Sequence, residues 1–358
     1  MSNQSATDDI LIRRDGRAGR ITMNRPQVLN ALTHTMVGEI TKALETWRTD
    51  PAIELVLLDG AGDRGLCAGG DVRWLYDRAT DKTGIVRRFF REEYTLNAAI
   101  GRYPKPFVAL QDGLVMGGGI GLSGHARHRI VTERSALAMP ETLIGLVPDV
   151  GGTWILAHAP GETGVYLALI GARMNFVDAI YSGFADAYMP VENLAPFGEE
   201  LCRKTGEPAW RILESWQETV VGASPLQAHR EEIDSCFGFD SIEAIEQALS
   251  KTPGEWAART LSDIGKRSPK ALKATLKAVR DARALPSLEA ALDVEYRLVT
   301  RLYEDGEFIE GVRAAIVDKD RRPKWRPATL GEVGSEMIAA LFAPLPAGEE
   351  LGLAKALG

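Results

Sequence analysis

The sequence predicts an α/β fold whose last third is helical, and three observations carry that expectation. Two short apolar runs, Leu55 to Asp59 and Pro106 to Leu110, have the near-continuous hydrophobicity of strands buried on both faces. Helically spaced apolar residues occur between such runs, and a glycine-rich turn follows each one. From about Leu226 onward no strand-like run recurs, and the 3.6-residue period takes over.

Ile10 to Arg14 and Arg20 to Met23 flank Asp15, Gly16 and Gly19, which predicts an opening hairpin. His34 to Trp47 places Met36, Val37, Ile40, Ala43, Leu44 and Trp47 on one helical face. The Leu55 to Asp59 strand ends at Gly60, and Cys67-Ala68-Gly69-Gly70-Asp71 then makes a glycine turn into a helix for which Asp71 is the N-cap. The Pro106 to Leu110 strand leads to a second glycine turn, Gly117-Gly118-Gly119. Ile242 to Leu249, Glu255 to Ile264, Pro269 to Arg280 and Ser287 to Tyr303 read as helices with no strand between them. Leu330 to Phe342 is amphipathic, and the Pro/Gly/Ala-rich remainder to Gly358 is expected to be loosely held. Residues 9–225 therefore read as a ligand-binding core, 226–330 as a helical layer and 331–358 as an extension.

With 358 residues, 45% of them hydrophobic and 25% charged, the chain has ample material for a buried core. A net charge of −7 argues against nucleic acid as the main partner, since phosphate binding wants a basic face. Met1 to Asp9 is polar without the apolar stretch of a signal peptide, and no run of 18 apolar residues occurs, so no membrane partner is expected. Cys67, Cys202 and Cys236 are odd in number and widely spaced, which predicts neither a disulfide framework nor a zinc site and fits a reducing cytoplasm.

The glycines allow several readings. Gly119, Gly121 and Gly124 spell GxGxxG, a dinucleotide fingerprint, but they lie more than 100 residues into the chain and no acid clearly ends a second parallel strand after them. A lone CAGGD turn is simply a tight turn before a capped helix. Two glycine turns, each after a buried strand, could instead aim two backbone N–H groups at one oxygen, as an oxyanion hole does. The acids are equally open. Read locally, Glu141 after Pro140 is a first-turn helix acid, Asp149 after Pro148 is a turn or N-cap residue, and Glu92 and Glu93 are solvated helix charges. His125 and His128 straddle a polar turn, and no GxSxG elbow accompanies them, so a serine hydrolase is not indicated. Lys319, Arg321, Arg322 and Lys324 beside Trp325 read either as a phosphate contact or as ordinary surface charge.

Through CAGGD at Cys67 to Asp71 and MGGG at Met116 to Gly119, the chain resembles the enoyl-CoA hydratase/isomerase (crotonase) superfamily. Within it, FFREEY (Phe89 to Tyr94), AMPETLIGLVPDVGG (Ala138 to Gly152), EGVRA (Glu310 to Ala314) and DKDRRPKW (Asp318 to Trp325) resemble the 3-hydroxyisobutyryl-CoA hydrolase branch, over residues 10–330. The resemblance implies a crotonase-type ββα spiral core with a helical C-terminal region, and an acyl-CoA substrate with no metal or redox cofactor. It implies that Gly70 and Gly118 hold the thioester oxygen while Ala68, Gly69 and Gly117 line the path of the substrate. Glu141 would attack the thioester or activate water, Asp149 would assist it, and Glu93 would contact the 3-hydroxyl. Hydratases of the superfamily carry two glutamates, the first three residues after the donor glycine; that position is Gly121 here, which disfavours hydration or isomerisation of an enoyl-CoA, the alternative activity. The family's trimers make a homo-oligomer one expectation, and a helical C-terminus covering the assembly surface is the other.

Overall fold

The opening hairpin forms where its spacing places it: β1 (Ile10–Asp15) pairs antiparallel with β2 (Ala18–Met23), closing at Asp15 opposite Ala18. The computed structural model describes residues 8–220 and 222–355. Further strands are β3 (Leu55–Gly60), β4 (Phe107–Gln111), β5 (Leu114–Met116), β6 (His128–Val131), β7 (Ala136–Ala138) and β8 (Ala187–Tyr188). One six-stranded sheet runs β1-β2-β3-β4-β6-β8, parallel from β2 onward, and β5 pairs with β7 in a second, two-stranded sheet.

The chain groups into two compact units. The first contains the described residues of Met1–Gly70, Thr95–Leu137 and Arg173–Ser224, and with them the six-stranded sheet. The central strands β3 and β4 are almost wholly buried, as their unbroken hydrophobicity requires. Leu57, Val108 and Ile130 belong to a core cluster completed by Phe197, Leu201 and Ile212 from the helices Val191–Arg203 and Ala209–Trp216. Each such side chain, fully buried, contributes about 1.5 to 3 kcal/mol. The His34–Thr49 helix buries the six residues that its periodicity selects. Its Trp47 ring lies so close to Gly19 that a methyl group there would come within 2.4 Å of it.

The second unit contains the described residues of Asp71–Tyr94, Ala138–Ala172 and Pro225–Gly358, and it is largely helical. Asp71 caps the Val72–Tyr76 helix by accepting from Trp74 N–H at 3.1 Å. The predicted C-terminal helices appear as Ile242–Lys251, Glu255–Ile264, Pro269–Ala282 and Leu288–Glu304, the last three starting after Gly254, Ser268 and Ser287. No strand follows β8 among the described residues. None of the described helices is long and apolar enough to cross a membrane.

One expectation is overturned: the Pro/Gly/Ala-rich end is tied down as far as Ala354. Arg91 donates to the carbonyls of Glu349 and Glu350 at 2.6 and 2.8 Å, Arg297 holds the Glu350 carboxylate at 2.9 Å, and Asp293 accepts from Leu353 and Ala354 N–H. Composition misled because the restraint comes from charged side chains on distant helices, which no local pattern reveals. Residues 356–358 lie outside the described residues.

Candidate active site

The two glycine turns meet in the first unit. Cys67 runs beside Val115 as a parallel bridge, and Met116 N–H donates to the Cys67 carbonyl at 3.0 Å. Gly117, at φ 47°, turns the chain from β5 into the short helix Gly118–Ser123, a conformation that costs a side-chain-bearing residue dearly. A methyl group on Gly119 would stand 2.2 Å from the Cys67 carbonyl oxygen, so only hydrogen fits there. One on Gly69 would stand 3.4 Å from the Met116 oxygen and 3.9 Å from the Gly118 nitrogen. Gly69 thus lies against the turn that carries Gly117 and Gly118, with Ala68 and Gly70 as its chain neighbours. As the first helical residue, Gly118 has an N–H with no acceptor inside its own helix.

Dinucleotide binding loses its basis in this geometry. Gly119 and Gly121 sit inside the helix and Gly124 at its end, and Gly119 serves close packing against Cys67 rather than a phosphate turn. Ser123 donates to the Gly119 carbonyl at 2.7 Å and receives Gln111 Nε2 at 3.0 Å, which fixes the helix to β4.

The carboxylates gather in the second unit. Pro140 leads into the 3-10 turn Glu141–Ile144, so Glu141 is indeed a first-turn acid. It is also buried, at 5% exposure, and its Oε2 finds no hydrogen-bond partner among the described residues. Burial, then the charges of Asp149 and Glu295, hold its carboxyl well above the usual range. Asp149 occupies a turn closed by Gly152 N–H on its carbonyl at 2.6 Å. Its carboxylate accepts from the Tyr94 hydroxyl at 2.5 Å, and burial pushes it up to about 6 despite that bond. Glu93 is 3% exposed, not solvated as its helical context alone suggests, and burial with the charge of Asp149 raises it well above the usual range.

Three separated segments therefore contribute to one buried acidic cluster, and buried like charges that feel one another cannot all ionise. The cluster therefore holds protons to higher pH than solvated carboxylates do. Such an arrangement offers a hydrogen-bonding neutral acid and a strongly basic carboxylate side by side. Tyr94 stands at one end of a row of four aromatics with Phe90, Phe89 and Trp74, successive ring centroids lying 5.5 to 6.2 Å apart.

Two neighbours of the acidic cluster escaped the sequence reading, Glu295 and Thr153. Glu295 is fully buried in the Leu288–Glu304 helix and accepts from Gly151 N–H at 2.7 Å, Thr153 N–H at 2.9 Å and the Thr153 hydroxyl. The available signal was a charge on the apolar stripe of Leu292, Tyr296 and Val299. Of the basic group, Lys319 and Arg321 adopt positive φ in an exposed loop that Arg313 organises through Asp318 and Asp320 at 2.6 and 2.7 Å.

Comparison with known proteins adds independent findings. Residues 18–342 match the enoyl-CoA hydratase/isomerase family. The chain is 40% identical to the mitochondrial 3-hydroxyisobutyryl-CoA hydrolase of Gallus gallus over 344 residues, 94% of this chain and 89% of that protein. Among solved structures it is similar to a carnitinyl-CoA dehydratase from Mycobacterium thermoresistibile, with a TM-score of 0.91 and 43% identity over 96% of this chain and 98% of that one. It is equally similar to an enoyl-CoA hydratase from Rhodobacter sphaeroides 2.4.1, with a TM-score of 0.90 and 43% identity over 96% and 99% of the two chains.

Proposed function

This chain belongs to the enoyl-CoA hydratase/isomerase family, and within it we propose that the protein hydrolyses the thioester of 3-hydroxyisobutyryl-CoA, and of 3-hydroxypropionyl-CoA, to the free hydroxy acid and CoA. The observation that carries this reading is Glu141, a buried carboxylate with an unpartnered oxygen and a raised affinity for protons. Once ionised it is a stronger base and nucleophile than a solvated carboxylate, and either role suits attack on a thioester carbon.

Charge accumulates on the thioester oxygen during that attack, and the N–H groups of Gly70 and Gly118 are assigned to receive it. Removing one donor of this kind costs about 10² to 10³ in rate. Asp149, held by Tyr94, exchanges protons with Glu141 and orients it. Glu93, its affinity for protons raised by burial and by the charge of Asp149, is suited to hydrogen-bond the 3-hydroxyl. Ala68, Gly69 and Gly117 line the path of the substrate. The reaction consumes only water, so no metal or redox cofactor is invoked. The cytoplasm is proposed on the three buried cysteine thiols; the Gallus gallus relative is named as mitochondrial. A homo-oligomer is part of the same proposal, resting on the family resemblance.

A second reading, hydration or dehydration of an enoyl-CoA, is favoured by the names of the two solved structures. Against it stands Gly121, buried within the Gly118–Ser123 helix where the first hydratase glutamate would be. Thiol release over a panel of 3-hydroxyacyl-, enoyl- and saturated acyl-CoAs separates the two. Release from the hydroxyacyl thioester should slow by about 10²- to 10⁴-fold in Glu141→Ala. A Glu141→Ala protein as active as its parent would sink the reading, and consumption of crotonyl-CoA without thiol release would favour hydration.

A further inference from the structure

A carboxylate in the middle of a helix is ordinarily solvated, because burying it unpaired costs several kcal/mol. Glu295 is fully buried all the same, and it spends its acceptors on a single turn. That turn is Pro148-Asp149-Val150-Gly151-Gly152, and it needs outside support. Val150 lies at φ 53°, a left-handed conformation that a β-branched residue adopts only under constraint. Gly151 is the N-cap of the Gly152–Ala157 helix and has no side chain to satisfy the first-turn N–H groups. Glu295 supplies what is missing. Both its oxygens are engaged, one by Gly151 N–H and the other by the backbone and hydroxyl of Thr153.

We infer that Glu295 is a positioning residue: by capping Gly151 and Thr153 from the Leu288–Glu304 helix, it locks the strained turn that presents Asp149 to Tyr94. The inference rests on the assignment of Asp149 to thioester hydrolysis. Its charge also reaches the acids of the cluster. Glu295 itself is pushed up to about 7 by burial, against the bonds from Thr153 and Gly151, and it adds to the rise of Glu141 and of the Tyr94 hydroxyl. The titratable groups facing this region are Asp149, Glu141, Tyr94 and Glu93. Removing the Glu295 charge must therefore make Glu141 easier to ionise.

The test uses Glu295→Gln in the full chain, with Thr153→Val as a milder variant that keeps the buried carboxylate and both backbone bonds. For Glu295→Gln, kcat for thiol release should fall about 10- to 10²-fold, the expected penalty for a misplaced catalytic group, with KM within about twofold. The acid limb of kcat/KM should move to lower pH. Amide hydrogen exchange in the peptide spanning 147–156 should quicken about tenfold, reflecting the lost charge-assisted bonds. Thr153→Val should change all three in the same direction by less. Unchanged exchange in that peptide would overturn the inference, as would a kcat that falls only with the folded fraction while the acid limb stays fixed. If the parent protein releases no thiol from 3-hydroxyisobutyryl-CoA, the proposed hydrolysis fails on its own, and the exchange measurement still decides the clamp.

Discussion

Glu141 and Asp149 each satisfy two descriptions at once. Glu141 starts a 3-10 turn and Asp149 closes a tight turn, as their local sequence indicates, yet both are buried and raised in proton affinity by surroundings drawn from far along the chain. Motif resemblance singled these two acids out, whereas the Tyr94 and Glu295 partners were not legible, because no local pattern encodes a contact across 55 or 144 residues. A pH dependence of stability follows. Asp149 rises to about 6 and Glu295 to about 7 on folding, so the folded state keeps protons that the unfolded chain has released. Stability from this source is complete below the ordinary carboxylate range, near pH 4, and is lost as pH climbs through about 7, by a few kcal/mol. Glutamine at 295 mimics the protonated acid without titrating. In urea unfolding at a series of pH values, the stability advantage of the parent over Glu295→Gln should therefore be greatest at low pH and shrink toward pH 8. A difference that does not vary with pH would contradict the raised Glu295.

At the scale of elements, the hairpin, the central strands and the long helices were legible because their apolar spacing matches the faces they bury. The glycine run was only half legible. Its sequence suggested a ligand turn, but the close approach between the Gly118–Ser123 helix and the Cys67 carbonyl is a three-dimensional fact. Gly119→Ala tests how tightly the two turns are coupled. Its methyl group, 2.2 Å from that carbonyl oxygen, must displace either the helix or the Cys67–Gly70 turn. Overpacking of this kind costs about 1 to 3 kcal/mol, and a shift in proposed oxyanion donors should lower kcat about 10²-fold. Gly38→Ala is the control: it lies on the His34–Thr49 helix with nothing within 4 Å of the added carbon. There the helix should gain about 0.5 to 1 kcal/mol, with kcat unchanged. Denaturation midpoints and thiol-release rates measured side by side decide the matter. If Gly119→Ala behaves like Gly38→Ala, the close contact does not matter.

Across the whole molecule, the proposed oxyanion donors belong to the first unit and the acids to the second. The second unit depends on its C-terminal segment more than composition suggests. Arg91 lies two positions before Glu93 on its helix, and Arg297 two positions after Glu295 on another; both arginines are held by residues 349–351. Asp293, also on the second helix, is satisfied by the amides of Leu353 and Ala354. Removing residues 343–358 strips partners from all three charged groups and exposes the apolar surface beneath Leu345 and Leu351. Part-buried charges stripped of these bonds, together with that lost burial, should destabilise the protein by at least about 2 kcal/mol. The loss should be felt at the cluster too, because the two helices that the tail fastens carry Glu93, Tyr94 and Glu295. Truncation is therefore expected to lower kcat even under conditions where the shortened chain is fully folded by circular dichroism. Glu350→Ala, which breaks only the Arg297 pair and the Leu345 amide bond, should cost less on both counts. A truncated protein that unfolds at the same urea concentration as the full chain and turns over at the same rate would show that the tail is docked without consequence.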